Sequence, residues 1–138
     1  MVDITTLATR LDTLGKNADS SMPFEVNPIP GDVEVLQVLV EDREELPVFV
    51  SISEEQILCI VYLFKENEVQ ADAIADMNNS MLTASISMPL SSFAKIENQY
   101  VIFGALSAHS SAEDVVHEIE VLSSNAIEAI EVMSDYLV

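Results

Sequence analysis

The chain has 138 residues, enough for one domain, and 49% of them are hydrophobic, a share that excludes an acidic disordered tail. Its 24 acidic and 5 basic side chains give a formal charge of −19. The cations, Arg10, Lys16, Arg43, Lys65 and Lys95, are too scattered to displace counterions from nucleic acid or to grip an anionic membrane; such a charge attracts basic segments of a partner, or serves solubility alone.

From Asp3 to about Lys16, Ile4, Leu7, Ala8, Leu11 and Leu14 fall at helical spacing, with Asp3 as cap and Gly15 or Asn17 as stop. Ala18 to Ser21 is a polar connector. Met22 to Val26 is extended, and Asn27, Pro28, Ile29, Pro30 and Gly31 predict a turn. Between Val33 and Val40 both alternating sets are largely apolar, which predicts a strand covered on both faces. After the acidic turn Glu41 to Glu45, Leu46 to Ile52 and Gln56 to Phe64 are β-rich, joined by a hairpin loop at Ser53, Glu54 and Glu55. The block therefore holds three or four strands.

Glu66 to about Leu82 turns helical, with Val69, Ala73, Ile74, Met77 and Met81 on one face and Asn67 as N-cap. Methionines adapt to varied contacts, so Met77 and Met81 read as core filling or as a binding surface. Pro89 makes Ser85 to Leu90 an edge or a loop. Ser92 to Ile96 and Gln99 to Leu106 form a hairpin around Glu97 and Asn98, with Tyr100, Ile102 and Gly104 on one face and Val101 and Phe103 on the other. The last helix starts at a capping-box spacing, Ser110 to Glu113, and runs from Ser111 to about Leu137. Its stripe is Val115, Ile119, Leu122, Ala126, Ile130, Met133 and Leu137, widened by Val116, Ile127 and Ala129. The order α-β-β-β(-β)-α-β-β-α predicts a single α+β domain over residues 1–138, an antiparallel sheet with helices on one face.

The chemistry is sparse. Cys59 stands alone in an apolar run, which excludes an intrachain disulfide and a thiolate metal cluster and reads as a buried structural thiol. His117 has Glu113 and Glu120 within a helical turn, and those three could hold a divalent cation; an acidic helix also produces that pattern by chance. No Gly-x-Ser-x-Gly elbow, P-loop or His-Glu-x-x-His is present. The expectation is no catalytic, cofactor-binding or metal-binding residues: a non-enzymatic protein. The N-terminus lacks a signal-peptide pattern, and no apolar stretch approaches the ~20 residues of a membrane span, so a cytoplasmic protein without direct membrane insertion is expected.

The element order resembles the class I chaperones of bacterial type III secretion, although an extra strand near Gln56 to Phe64 departs from it. That resemblance implies a small acidic cytoplasmic homodimer that binds a partner polypeptide in extended form. Met88 to Phe93 (MPLSSF), Tyr100 to Ser107 (YVIFGALS) and Leu7 to Leu11 (LATRL) are similar to the YjfI-like bacterial proteins, a family of unknown function. This second resemblance implies a membrane-stress setting and a partner related to the coiled-coil phage-shock protein A. The leading expectation is thus a secretion-chaperone-like protein-binding domain, as a homodimer. The alternatives are an accessory protein of a phage-shock-like module and a small-molecule-binding or enzymatic domain. A homodimer is also expected from the width of the final stripe, which exceeds the obvious needs of a monomer.

Overall fold

The structure is a computed structural model that describes residues 3–16 and 22–138. The elements are α1 (Ile4–Gly15), β1 (Phe24–Ile29), β2 (Val35–Val40), β3 (Val48–Ile52), β4 (Gln56–Lys65), α2 (Ile74–Ser87), β5 (Ser92–Ile96), β6 (Gln99–Ser107) and α3 (Ala112–Met133). Short 3₁₀ turns occupy Glu66–Glu68 and Ser134–Tyr136. One six-stranded antiparallel sheet has the order β1-β2-β3-β4-β6-β5, so the strand block has four strands. The fold is α+β with its helices on one face of the sheet.

The Asp3 carboxylate caps α1 by accepting the Thr6 N–H at 2.8 Å, and Leu7 and Leu11 point into the core. At the helix end a Cβ on Gly15 would lie 2.5 Å from the Phe24 ring, so only glycine lets β1 pack this closely against α1. The connector expected at Ala18 to Ser21, and Asn17 as a helix stop, lie outside the described residues.

Several boundaries differ from the sequence expectation. The turn predicted at Asn27 to Gly31 begins later, because Asn27, Pro28 and Ile29 still pair with Gln37, Leu36 and Val35. An edge strand tolerates a proline, since one side of its backbone has no ladder to complete. Val33 and Glu34 fall in the resulting turn, outside β2.

The second helix starts at Ile74, not near Glu66. Residues 66–69 are drawn into a 3₁₀ turn and an isolated bridge between Val69 and Leu137, while Gln70 Nε2 donates to the Asp135 and Leu137 carbonyls. That anchoring of the C-terminal residues takes the backbone a longer helix would need, and Asn67 caps nothing. At the other end α2 runs through Ser87, so the expected edge or loop begins at Met88.

The capping box of α3 is one residue later than expected. Ser111 Oγ accepts from the Asp114 N–H at 3.1 Å, and the Ser111 N–H donates back to the Asp114 carboxylate. Glu113 is then free to meet Arg10 at 2.8 Å. The helix ends at Met133 because Ser134 to Leu137 join the 3₁₀ turn and the bridge.

The main core lies between one sheet face and α1 with α3. Leu36, Val38, Val40, Val48, Val50, Ile57, Cys59, Val61 and Ile102 meet Leu7, Leu11, Val115, Ile119, Leu122 and Ala126. A fully buried aliphatic side chain contributes about 1.5–3 kcal/mol, so this layer supplies most of the drive to fold. A smaller core under α2 joins Phe64, Val69, Met77, Met81, Tyr100 and Met133, placing both methionines as filling.

Candidate protein-binding surfaces

The expectation that β2 is covered on both faces is met on one face only. Leu36, Val38 and Val40 are buried against the helices, while Val35, Gln37 and Leu39 point away from them and stay half-buried. The strand register extends that second face through Phe49 and Ser51 on β3, and Leu58, Ile60 and Tyr62 on β4. It continues through Val101, Phe103 and Ala105 on β6 and Ser92, Ala94 and Ile96 on β5. Within the strands, only Glu25 on β1 and Lys65 at the end of β4 bring a formal charge to it. Among the described residues no helix packs here. Tyr62 is 45% exposed and Ile96 46%, and the Phe49 and Tyr62 rings meet edge-on at 5.4 Å.

A second apolar area surrounds α2. A groove of about 210 Å³ separates α2 from α3, lined by Ala84, Met88, Pro89, Asn125, Val132 and Met133 among others. On the opposite flank a cleft of about 260 Å³ lies between α2 and the edge strand β5, with Met81, Leu82, Phe93 and Tyr100 in its wall. Ile86, 92% exposed, crowns the helix. The stripe of α3 is consumed inside the chain: Val115, Ile119, Leu122 and Ala126 are fully buried. The residues that widen that row are less enclosed: Val116, Ile127 and Ile130 are half-buried and Val132 is 60% exposed, so apolar surface available for contact lies on the sheet, on α2 and on the adjoining flank of α3.

His117 is exposed on α3, and its neighbour Glu113 is engaged with Arg10. Among the described residues no three His, Cys, Asp or Glu side chains come together as metal ligands. Cys59 is buried, and burial first, then the nearby Glu118 charge, pushes its thiol up to about 12. A thiol held so far above neutrality stays protonated and is no nucleophile.

The polar feature missed from the sequence is on α3. Glu118 is 4% exposed, and its Oε1 finds no hydrogen-bond partner among the described residues. Burial raises its carboxyl above the usual carboxylate range, opposed by the His117 charge. Asn125, also buried, donates to the Pro89 carbonyl and to the Ser91 hydroxyl, both at 2.9 Å. Their spacing was the available signal. Glu118 and Asn125 occupy the i+3 slots of the buried row Val115, Ile119, Leu122, Ala126, so each had to face the core.

The stretches Met88 to Phe93 and Tyr100 to Ser107 meet in space, with Ser92 opposite Phe103 and Phe93 opposite Ile102. A family model described as an uncharacterized protein conserved in bacteria (DUF2170) matches residues 1–137. The chain belongs to the DUF2170 family. Within this DUF2170 chain, 65 residues are 38% identical to the uncharacterized protein YjfI of Escherichia coli K12, and the same holds for YjfI of strain O157:H7. The shared stretch is 44% of this chain and 49% of each relative, so the chain spans about half the length of the curated relatives it matches. Two crystal structures share the DUF2170 fold. YbjN from E. coli, proposed to be a transcription regulator, superposes with a TM-score of 0.64 at 18% identity, over 99% of this chain and 96% of that one. A chain of the ExsC–ExsE complex superposes with a TM-score of 0.55 at 13% identity, over 91% of this chain and 92% of that one.

Proposed function

We propose that this DUF2170 chain is a non-enzymatic, cytoplasmic protein-binding domain, one unit over its 138 residues, that works as a homodimer and holds a partner polypeptide in a chaperone-like manner. The observation that carries this reading is the open, nearly charge-free sheet face of Val35, Leu39, Phe49, Leu58, Ile60, Tyr62 and Phe103. A contiguous apolar face marks a contact surface in a folded chain. Two chains of −19 repel wherever their acidic surfaces approach, so a neutral face is where a second copy can dock at least electrostatic cost. The acidic surface around it draws basic segments of a partner. The ExsC–ExsE complex supports the same reading, because a chain of this fold is found there with another protein.

A second reading rests on the groove between α2 and α3. A channel between two helices, apolar at its base and with Glu128 in its wall, suits a helix with basic residues. A phage-shock-protein-A-like coiled-coil partner would be of that kind.

Light scattering on the full chain tests the dimer, with twice the chain mass of 15.1 kDa expected. Ile60→Glu places a charge on the neutral face without touching the core. It should give a folded species of single mass that no longer retains the polypeptide captured by the native protein. A wild-type monomer at high micromolar concentration, with the same polypeptide retained by Ile60→Glu, would overturn the reading.

A further inference from the structure

The loop from Met88 to Ser91, between α2 and β5, is held down by α3. Asn125 ties it through the Pro89 carbonyl and the Ser91 hydroxyl. Between those two ties Leu90 has φ of 62°, a left-handed conformation that a leucine adopts only when its surroundings enforce it. About two helical turns earlier on α3, Glu118 points at Gly104, the residue over which the same loop lies. A Cβ on Gly104 would lie 1.6 Å from Glu118 Oε1 and 3.1 Å from the Leu90 carbonyl oxygen. Both oxygens therefore crowd the space left by the missing side chain at position 104. Two acceptors that share a buried space repel unless one of them carries a proton.

We propose that Glu118 is a proton-controlled latch: as the neutral acid it donates to the Leu90 carbonyl and, with Asn125, pins the α2–β5 loop over Gly104, and once ionised it releases the loop. Met88 and Pro89 form one wall of the groove between α2 and α3, so release of the loop widens that groove. The surroundings leave the proton as the controlling species. The titratable groups acting on Glu118 are His117 on its own helix and Cys59 on β4, whose thiol stays neutral. The core-facing residues of β6 include Tyr100, Ile102, Gly104 and Leu106, those of β3 are Val48, Val50 and Ile52, and the loop offers a carbonyl. Four of the cations have partners of their own: Arg10 pairs with Glu113, Lys16 with Asp12 and Lys95 with Glu66, and Arg43 donates to Ser123 and Ser124. This proposal is independent of what binds the open sheet face.

Nuclear magnetic resonance on the full chain tests it. The Glu118 carboxyl carbon should titrate above the ordinary glutamate range, and the amide signals of Leu90, Ser91 and Gly104 should follow the same curve. Between about pH 5 and about pH 8, hydrogen-exchange protection of Ser91 and Phe93, corrected for intrinsic rates, should fall about tenfold while the β3–β4 ladder keeps its protection. Glu118→Gln, whose amide can still donate to the Leu90 carbonyl, should hold the loop equally at both pH values. Glu118→Ala should leave it open at both. A Glu118 that titrates like an exposed glutamate, or a Glu118→Gln protein that loses loop protection with pH as the wild type does, would overturn the latch; the wild-type titration decides even where a variant fails to fold.

Discussion

A buried polar atom without a hydrogen-bond partner costs about 1–3 kcal/mol, a cost that falls on Glu118 Oε1 beside Gly104 of β6 when the carboxyl is ionised and no proton joins it to the loop. The carboxyl holds its proton more tightly in the folded chain than in the unfolded one, because burial raises it more than the His117 charge lowers it. The linkage then has one sign. The stability this proton confers is complete below the unfolded carboxyl value of about 4.5, and it is lost as the pH rises toward the folded value. Repulsion among the other carboxylates adds a slope of the same direction, so the comparison with a variant is the informative one. Melting curves at increasing pH should show Glu118→Gln gaining on the wild type by about 1 kcal/mol, with little difference in acid. A constant difference across pH would mean that Glu118 is not the titrating group. Cys59, opposite Gly104 in the ladder, is the contrasting case. Cys59→Ala should cost on the order of 1 kcal/mol through lost contacts and a small cavity, and the native thiol should resist alkylation. Rapid labelling of the folded protein would contradict its burial.

The three helices are held very differently. α3 packs on the sheet beside α1, and Ile119 is fully buried within a single chain. Ile119→Asp puts an unpaired carboxylate into that layer and should abolish cooperative unfolding; a folded monomer with native-like circular dichroism would place Ile119 at an interface instead. α2 stands on the smaller core, which depends on Met77 and Met81 and on the tethered C-terminal residues. Met77→Ala should cost about 2–5 kcal/mol. Hydrogen exchange should show α2 and β5 loosening first, with the β2–β3–β4 ladder still protected. Simultaneous loss of protection in both regions would mean that the two cores unfold as one. The late start of α2 could not be read from its pattern, because Val69 was counted on a helical face while its backbone pairs with Leu137, 68 residues away.

For the whole molecule the decisive property is charge placed around a neutral face. Exposed charges are screened beyond about 8–10 Å at physiological ionic strength, so added salt acts in opposite directions on two kinds of contact. Self-association across the open sheet should strengthen with salt, as repulsion between two −19 chains is screened, whereas capture of a basic partner should weaken. Sedimentation and binding measured at low and at high salt separate the two. A dimer that dissociates in salt would locate the interface on ion pairs, away from the sheet.

Local pattern determined much of this protein by itself. Helical spacing named the α1 and α3 stripes, alternation named the strands, and the Glu97–Asn98 turn placed the last hairpin. These features depend on periods of two and 3.6 residues, which nearby side chains set without reference to the rest of the chain. The same pattern showed β2 to be apolar on both sides and so predicted cover on both, which the described chain supplies on one face only. The element order had already predicted helices on one face; only the tertiary structure decided that nothing in the described chain covers the other. It also decided that Glu118, one of 24 acidic residues, is the one brought over Gly104 beside the Leu90 carbonyl. The physical reason is the same in both cases: burial is a property of what packs against a residue from far along the chain, and no local period records it.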